Sequence, residues 1–157
     1  MIRLQPISHR DRDRVSHIAV LPEQEPFCGS IALHFDDLRP NFDFHIVLRD
    51  DQAVGFFKID RDYRAEYPFA LPGELGLRGV MIDQREQGKG TGKAAMSALR
   101  PYLSQHYPKA ASVVLTVNQV NPLARAVYLA AGFTDTGQMF HGGRISAQHI
   151  MRMALSG

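Results

Sequence analysis

A chain of 157 residues is long enough to bury one hydrophobic core and short for two, so a single domain over 1–157 is expected. Hydrophobic residues make up 45% and charged residues 22%, a balance that excludes a disordered or fibrous chain. The formal charge of +2 gives no basis for nucleic-acid binding, and the one cysteine, Cys28, excludes an internal disulfide and suits a reducing compartment.

The N-terminal stretch MIRLQPISHRDRDRV lacks the apolar core of a signal peptide. No apolar run approaches the roughly 20 residues of a membrane helix, and a cytoplasmic protein without membrane contact is expected. No spacing of Cys and His suggests a metal site. IRLQPI reads as a strand. Ser8, with Asp11 three residues on, reads as the N-cap of a helix whose apolar face includes Val15, Ile18 and Leu21, and Pro22 ends it. A short helix is expected over 30–38. FDFHIVLR alternates Phe42, Phe44, Ile46 and Leu48 with other residues, the period of a half-buried strand, and AVGFFKI returns as its hairpin partner after the turn at 50–52.

A loop with Pro68, Pro72 and Gly73 leads to the strand ELGLRGVMI, and QGKGTGK follows directly. KAAMSALRPYL has a helical composition, with Pro101 set to kink it or start a new turn. SVVLTV is a buried-looking strand. Asn121 then caps a helix with Pro122 at its first position, and Gly132 closes it. Strands near 133–140 and 149–155 flank the turn HGGR. This order implies an α/β (α+β) domain with one mixed, mostly antiparallel sheet flanked by helices.

QGKGTGK sits where a strand turns into a helix, and alternate glycines there leave backbone N–H groups and the helix dipole aimed at an anion. A nucleotide triphosphate loop, G-x-x-x-x-G-K-[ST], would need glycine at Gln87 and a hydroxyl at Ala94. Neither is present, so no side chain is there to hold Mg²⁺. The dinucleotide pattern G-x-G-x-x-G fits Gly88 and Gly90 and fails at Lys93.

The pattern that fits is [QR]-x-x-G-x-[GA], met by Gln87, Gly90 and Gly92. With the strand VMI before it and LTVNQVNPLARAVYLAAGF after it, the chain resembles the GNAT superfamily of acetyl-CoA-dependent N-acetyltransferases. That resemblance implies a coenzyme A diphosphate held by the amides of Gln87, Gly88, Lys89, Gly90, Thr91, Gly92 and Lys93, with charge from the two lysines. It also implies that the pantetheine arm of acetyl-CoA lies along the main chain of Val80, Met81 and Ile82 where the sheet splays open. Those strand-end amides are candidates for stabilising an oxyanion.

The resemblance makes Tyr128 the general acid that protonates the leaving thiolate, a role suited to a phenol with an ordinary pKa near 10. Asn121 and Arg125 precede it on the same helix and can share its cofactor-facing side. The base is harder to place. Simple alternation puts Glu74, Arg78, Val80 and Ile82 on one side of the strand, unless a bulge intervenes. Relatives acting on polyamines often carry a carboxylate where Arg78 stands, so Glu74, acting through water, is the candidate base.

The segment VLPEQEPFCGSI, with Gln24 and Phe27, resembles that of bacterial spermine/spermidine and diamine acetyltransferases, and Glu23, Glu25, Asp36 and Asp37 offer an acidic surface to a cationic acceptor. A small-molecule amine of the polyamine type is therefore the expected acceptor. A protein N-terminus, an amino acid or an antibiotic amine is the alternative within the same chemistry. A non-catalytic acyl-CoA-binding module is the alternative outside it. A homodimer is possible through the C-terminal strand HIMRMAL.

Overall fold

A computed structural model describes residues 1–155. The chain runs through β1 (Ile2–Ile7), α1 (Arg12–Val15), α2 (Glu25–Cys28), α3 (Ile31–Asp36), β2 (Phe42–Arg49), β3 (Gln52–Asp60), α4 (Tyr63–Glu66) and β4 (Leu75–Ile82). It continues through α5 (Thr91–Ser97), α6 (Leu99–His106), β5 (Ser112–Asn118), α7 (Pro122–Ala130), β6 (Thr134–Phe140) and β7 (Gln148–Ala154). All seven strands form one sheet in the order β1-β2-β3-β4-β5-β7-β6. Every pairing is antiparallel except β4 with β5. No described helix is long and apolar enough to cross a membrane.

Alternation along the strands divides the apolar residues between two faces. Phe42, Phe44, Ile46 and Leu48 pack with Phe56, Met81 and the inward residues of α1 and α3. Val47, Phe57 and Ile59 pack with Leu77, Val113, Leu115 and the buried side of α5 and α6. β4 contributes to both faces because it is bulged. Phe56 pairs with Met81 and Lys58 with Arg78, so Phe57 alone faces Gly79 and Val80 together. Gly79 takes φ 64, in the left-handed region that favours glycine. The extra residue places Leu75, Leu77, Val80 and Ile82 against one core and Met81 in the other. Simple alternation had put Arg78 on the side of Val80 and Ile82. The bulge turns it to the opposite face.

Three further expectations change. The helix after Ser8 is short: the capping box with Asp11 closes a 3-10 turn, and α1 ends at Val15. His17 then bonds the carbonyl of Ala53 (2.8 Å) and Ala19 accepts from the amide of Gln84 (2.7 Å), which pulls the chain across the sheet long before Pro22. The break expected at Pro101 comes instead at Ala98, and Pro101 falls in the first turn of the new helix α6, where a missing N–H is tolerated. Finally, β7 pairs with β5 on one side and β6 on the other. HIMRMAL is thus an interior strand with no free edge for a second chain, and the sheet edges are β1 and β6.

A buried polar chain ties the end of α6 to the sheet. His45, 2% exposed, bonds Tyr102 Oη through Nδ1 (2.6 Å) and Tyr107 Oη through Nε2 (2.9 Å), and Tyr107 donates to Asp43 (2.7 Å). Tyr107 spends its proton on Asp43, so His45 Nε2 donates to Tyr107, and the burial that disfavours a charged ring leaves Nδ1 to accept from Tyr102. Burial holds His45 down to about 4, and burial with the Lys58 charge does the same for His34.

An unfolded histidine titrates near 6.5. Above that pH neither state binds the proton, while between about 6.5 and 4 only the unfolded chain does, so stability falls as pH falls. Urea unfolding at pH 7 and pH 5 should show a loss of roughly 2 kcal/mol for each of the two histidines, and His45→Gln should remove its share. Equal stability at both pH values would contradict the neutral assignment.

Candidate functional site

After β4 ends at Ile82, the 3-10 turn Gln84–Glu86 carries the chain into the glycine loop and α5. Gly88 and Gly90 take φ 80 and 79, and no protein atom lies within 4 Å of a Cβ built at either. Gly90 is the N-cap of α5 and offers no side chain to its first turn. Among the described residues, the amides from Gly88 to Lys93 donate to no protein acceptor within hydrogen-bond distance. Their partners must come from outside the chain, and the helix start favours an anion.

The loop is braced from behind. The Gln87 and Gln24 amides bond each other in both directions (2.8 and 3.0 Å), and Gln87 also donates to the Ile82 carbonyl (3.0 Å). Gln87 therefore serves through its side chain as a strut, tying the α1–α2 connection to the loop. Arg49 on β2 reaches Glu86 (2.8 Å) and the buried hydroxyl of Thr91 (2.6 Å). Lys89 leans on Glu86 (3.2 Å) while remaining exposed, and Lys93 is exposed beside it.

β4 pairs with β5 only through Leu75–Val113 and Gly76–Val114. From Leu77 to Ile82 its β5-facing edge has no neighbouring strand, and this stretch contains Val80, Met81 and Ile82. The open edge and the unbonded loop amides are continuous. Together they suit an extended chain ending in a diphosphate, the shape of coenzyme A.

α7 carries Tyr128. Asn121 caps the helix by accepting from Ala124 N–H (3.5 Å), which is the only bond its side chain makes among the described residues. Tyr128 meets Phe133 edge-on (centroids 5.7 Å, 71°) and packs on the main core. Its hydroxyl has no protein partner, yet no fully buried polar atom is left without one among the described residues, so the hydroxyl reaches open space. Burial, with Cys28 adding to it, pushes the phenol well above the ordinary tyrosine range. Arg125 does not join it: its guanidinium is bound to Asp135 on β6 (2.7 and 3.2 Å).

Glu74 is also elsewhere. It lies before the paired end of β4, 3% exposed, and receives two bonds from Arg152 (2.6 and 2.9 Å), one from Ser112 Oγ (2.7 Å) and one from Leu71 N–H (2.9 Å). Burial raises its pKa, but the bonds from Arg152 and Ser112 outweigh it and the net shift is downward. A carboxylate with its lone pairs committed and its proton affinity reduced is a poor base. The structure gives Glu74 a structural role in place of the expected catalytic one.

Two residues that the sequence did not single out, His34 and Lys58, lie beside the β4 bulge. The Cys28 carbonyl bonds His34 Nε2 (2.7 Å), and the His34 ring lies over Gly79, where a Cβ would stand 2.7 Å from Cε1. Lys58 stands across from Arg78 on the same face. A lysine in the apolar run AVGFFKI and a glycine inside an apolar strand were the available signals.

The comparisons with known proteins agree with this geometry. Residues 7–133 match the acetyltransferase (GNAT) family. The N-acetyltransferase YbbJ of Bacillus subtilis (strain 168) is 34% identical over 98 residues, 59% of each chain. The spermine/spermidine N(1)-acetyltransferase of the same organism is 32% identical over 79 residues, 50% of this chain and 51% of that one. The chain thus matches between half and three-fifths of the length of these curated relatives. Among solved structures, the aminoglycoside acetyltransferase AAC(6')-Ib with coenzyme A superposes with a TM-score of 0.78 at 16% identity, over 98% of this chain and 95% of that one. The Escherichia coli ribosomal-protein-S18-alanine N-acetyltransferase gives 0.67 at 20% identity, over 100% and 96%. At these identities the structures show a shared fold.

Glu74→Gln separates the two roles considered for that residue. It should lower the unfolding free energy by about 3 kcal/mol, because Arg152 loses a buried partner, and change turnover per folded molecule less than about twofold. Full stability with a large loss of turnover would restore the base.

Proposed function

The chain belongs to the acetyltransferase (GNAT) family, and from that premise we propose that it transfers an acetyl group from acetyl-CoA to a primary amine by direct attack within a ternary complex. The observation that carries this reading is the continuity of the free β4 edge with the unbonded amides of Gly88 to Lys93. The thioester supplies an activated acyl carbon. The chain's own part is to hold and orient: loop amides and helix dipole on the diphosphate, the edge beside Val80, Met81 and Ile82 on the extended arm, and the β4 amides toward developing negative charge on oxygen.

Tyr128 is the general acid of this proposal. Its hydroxyl carries a proton, has no protein acceptor among the described residues and is not fully buried. It donates to the thiolate that forms as the thioester C–S bond breaks; its raised pKa keeps it protonated until then and makes it a weaker acid than an ordinary phenol. Asn121, with little bonding of its own, is a secondary contact beside it.

A polyamine-type acceptor is favoured by the identity with the spermine/spermidine acetyltransferase and by the resemblance of the Gln24–Phe27 segment. The acidic surface expected to attract it is reduced, since Asp36 pairs with Arg12 (3.8 Å) and Asp37 with Arg39 (2.8 Å), leaving Glu23 and Glu25 exposed. Thiol release measured across a panel of polyamines, amino acids, peptides and aminoglycosides discriminates these acceptors. Activity on peptides or amino acids without activity on spermidine would replace the polyamine. Coenzyme A binding without release toward any amine would leave a binding module.

Tyr128→Phe should reduce kcat by roughly a hundredfold or more with little change in the KM for acetyl-CoA. Because the phenol is held above its ordinary range, it stays protonated at every pH below about 10, and wild-type kcat should show no alkaline fall attributable to it there. Unchanged turnover in the variant at all pH values would remove the general acid.

A further inference from the structure

On the face that carries α3, β3 and β4 set Lys58 directly opposite Arg78, although like charges so paired weaken a sheet. Arg78 is compensated by Asp60 (3.3 Å) and Glu66 (3.2 Å). Lys58 is not. Its side chain is 5% exposed, yet among the described residues Nζ makes no hydrogen bond or ion pair and rests over the Phe42 ring, 4.2 Å from the centroid. Among the described residues no fully buried side-chain nitrogen is left without a partner, so Nζ keeps a small accessible surface.

The acids that could answer it are committed. Asp37 is clamped by Arg39 (2.8 Å), and Asp60 accepts from Asn41 (2.8 Å) as well as Arg78. Burial, ahead of the Arg78 charge, pulls the Lys58 ammonium down to about 8, so a counter-ion placed beside it would be stabilising.

His34 completes the niche. Its Nε2 donates to the Cys28 carbonyl, which leaves Nδ1 as a lone-pair acceptor with no protein donor among the described residues. Nδ1 lies 3.5 Å from where a Gly79 Cβ would stand. Gly79 is the bulge of the strand whose β5-facing edge is unpaired beyond Gly76, and Cys28, which holds His34, is also the group whose charge acts on Tyr128. A cation and a lone pair without protein partners among the described residues thus lie beside the bulged strand that the proposed function assigns to the thioester arm.

Resting on the acetyl-transfer reading above, and in place of the polyamine type that relatedness favours, we propose that the acceptor is a small amine that carries a carboxylate. The carboxylate lies on Lys58 Nζ and the amine is turned toward Gly79 and His34 Nδ1.

The test titrates β-alanine and β-alaninamide, which differ at the carboxylate, into the full chain loaded with coenzyme A, following the amide NMR shifts of Lys58, Arg78 and Gly79. The carboxylate member should bind at least about tenfold more tightly, the worth of one charge-assisted bond in a shielded site. Lys58→Met, close in shape and uncharged, should bring that ratio to near one, and Lys58→Arg should restore part of it; circular dichroism checks that each variant folds. A ratio near one in the wild type, or a ratio unmoved in Lys58→Met, overturns the proposal. Tighter binding of phosphoethanolamine than of β-alanine overturns the choice of carboxylate. Thiol release is followed on the same compounds and on spermidine. Its absence throughout would refute acetyl transfer, while the binding ratio still decides the carboxylate site.

Discussion

Two residues of β4 hydrogen-bond to β5, and then the strands part. Parallel pairing is slightly the weaker of the two ladder types, and two features favour its early end. β5 is paired along its whole length with β7, so it follows that strand rather than β4. The bulge at Gly79 adds twist to β4 as it leaves. The result is a row of main-chain donors and acceptors that the fold neither pairs nor buries, opening directly onto loop amides in the same condition. Unpaired backbone groups are disfavoured unless water or a ligand answers them. This edge, more than any side chain, gives the molecule a place for a long, anionic, amide-bearing partner.

The side chains around the opening are arranged by the same features. The bulge frees Gly79 of a side chain where His34 needs the space, and sends Arg78 to the face that holds Lys58. The cross-links among Gln24, Gln87, Arg49 and Thr91 fix the loop relative to the sheet, so the amides are preorganised rather than assembled on binding. Tyr128 arrives from the far side, on a helix that packs on the main core.

The glycine loop was legible because its information is local: alternate glycines between a strand and a helix state where amides are bare, whatever the rest of the chain does. The positions of the strands along the chain and the β2–β3 hairpin followed from apolar alternation for the same reason. Side-chain roles set by distant partners were not legible. Glu74 looked available until Arg152, 78 positions away, was seen to hold it, and Arg125 looked free until Asp135 on β6 was found bound to it. The first helix, read from Ser8 toward Pro22, was shortened by His17 and Ala19 bonding across to β3 and to Gln84. Periodicity carried no sign of either contact. Lys58 and His34 were missed because their importance lies in lacking a partner, which only packing reveals.

Backbone amide NMR during addition of coenzyme A tests the main-chain site most directly. The account predicts that shifts concentrate on Gly88 to Lys93 and on the unpaired length of β4, Leu77 to Ile82, and that these amides become protected from hydrogen exchange. Binding that leaves both stretches unmoved, or that perturbs the sheet edges at β1 or β6 instead, would contradict it.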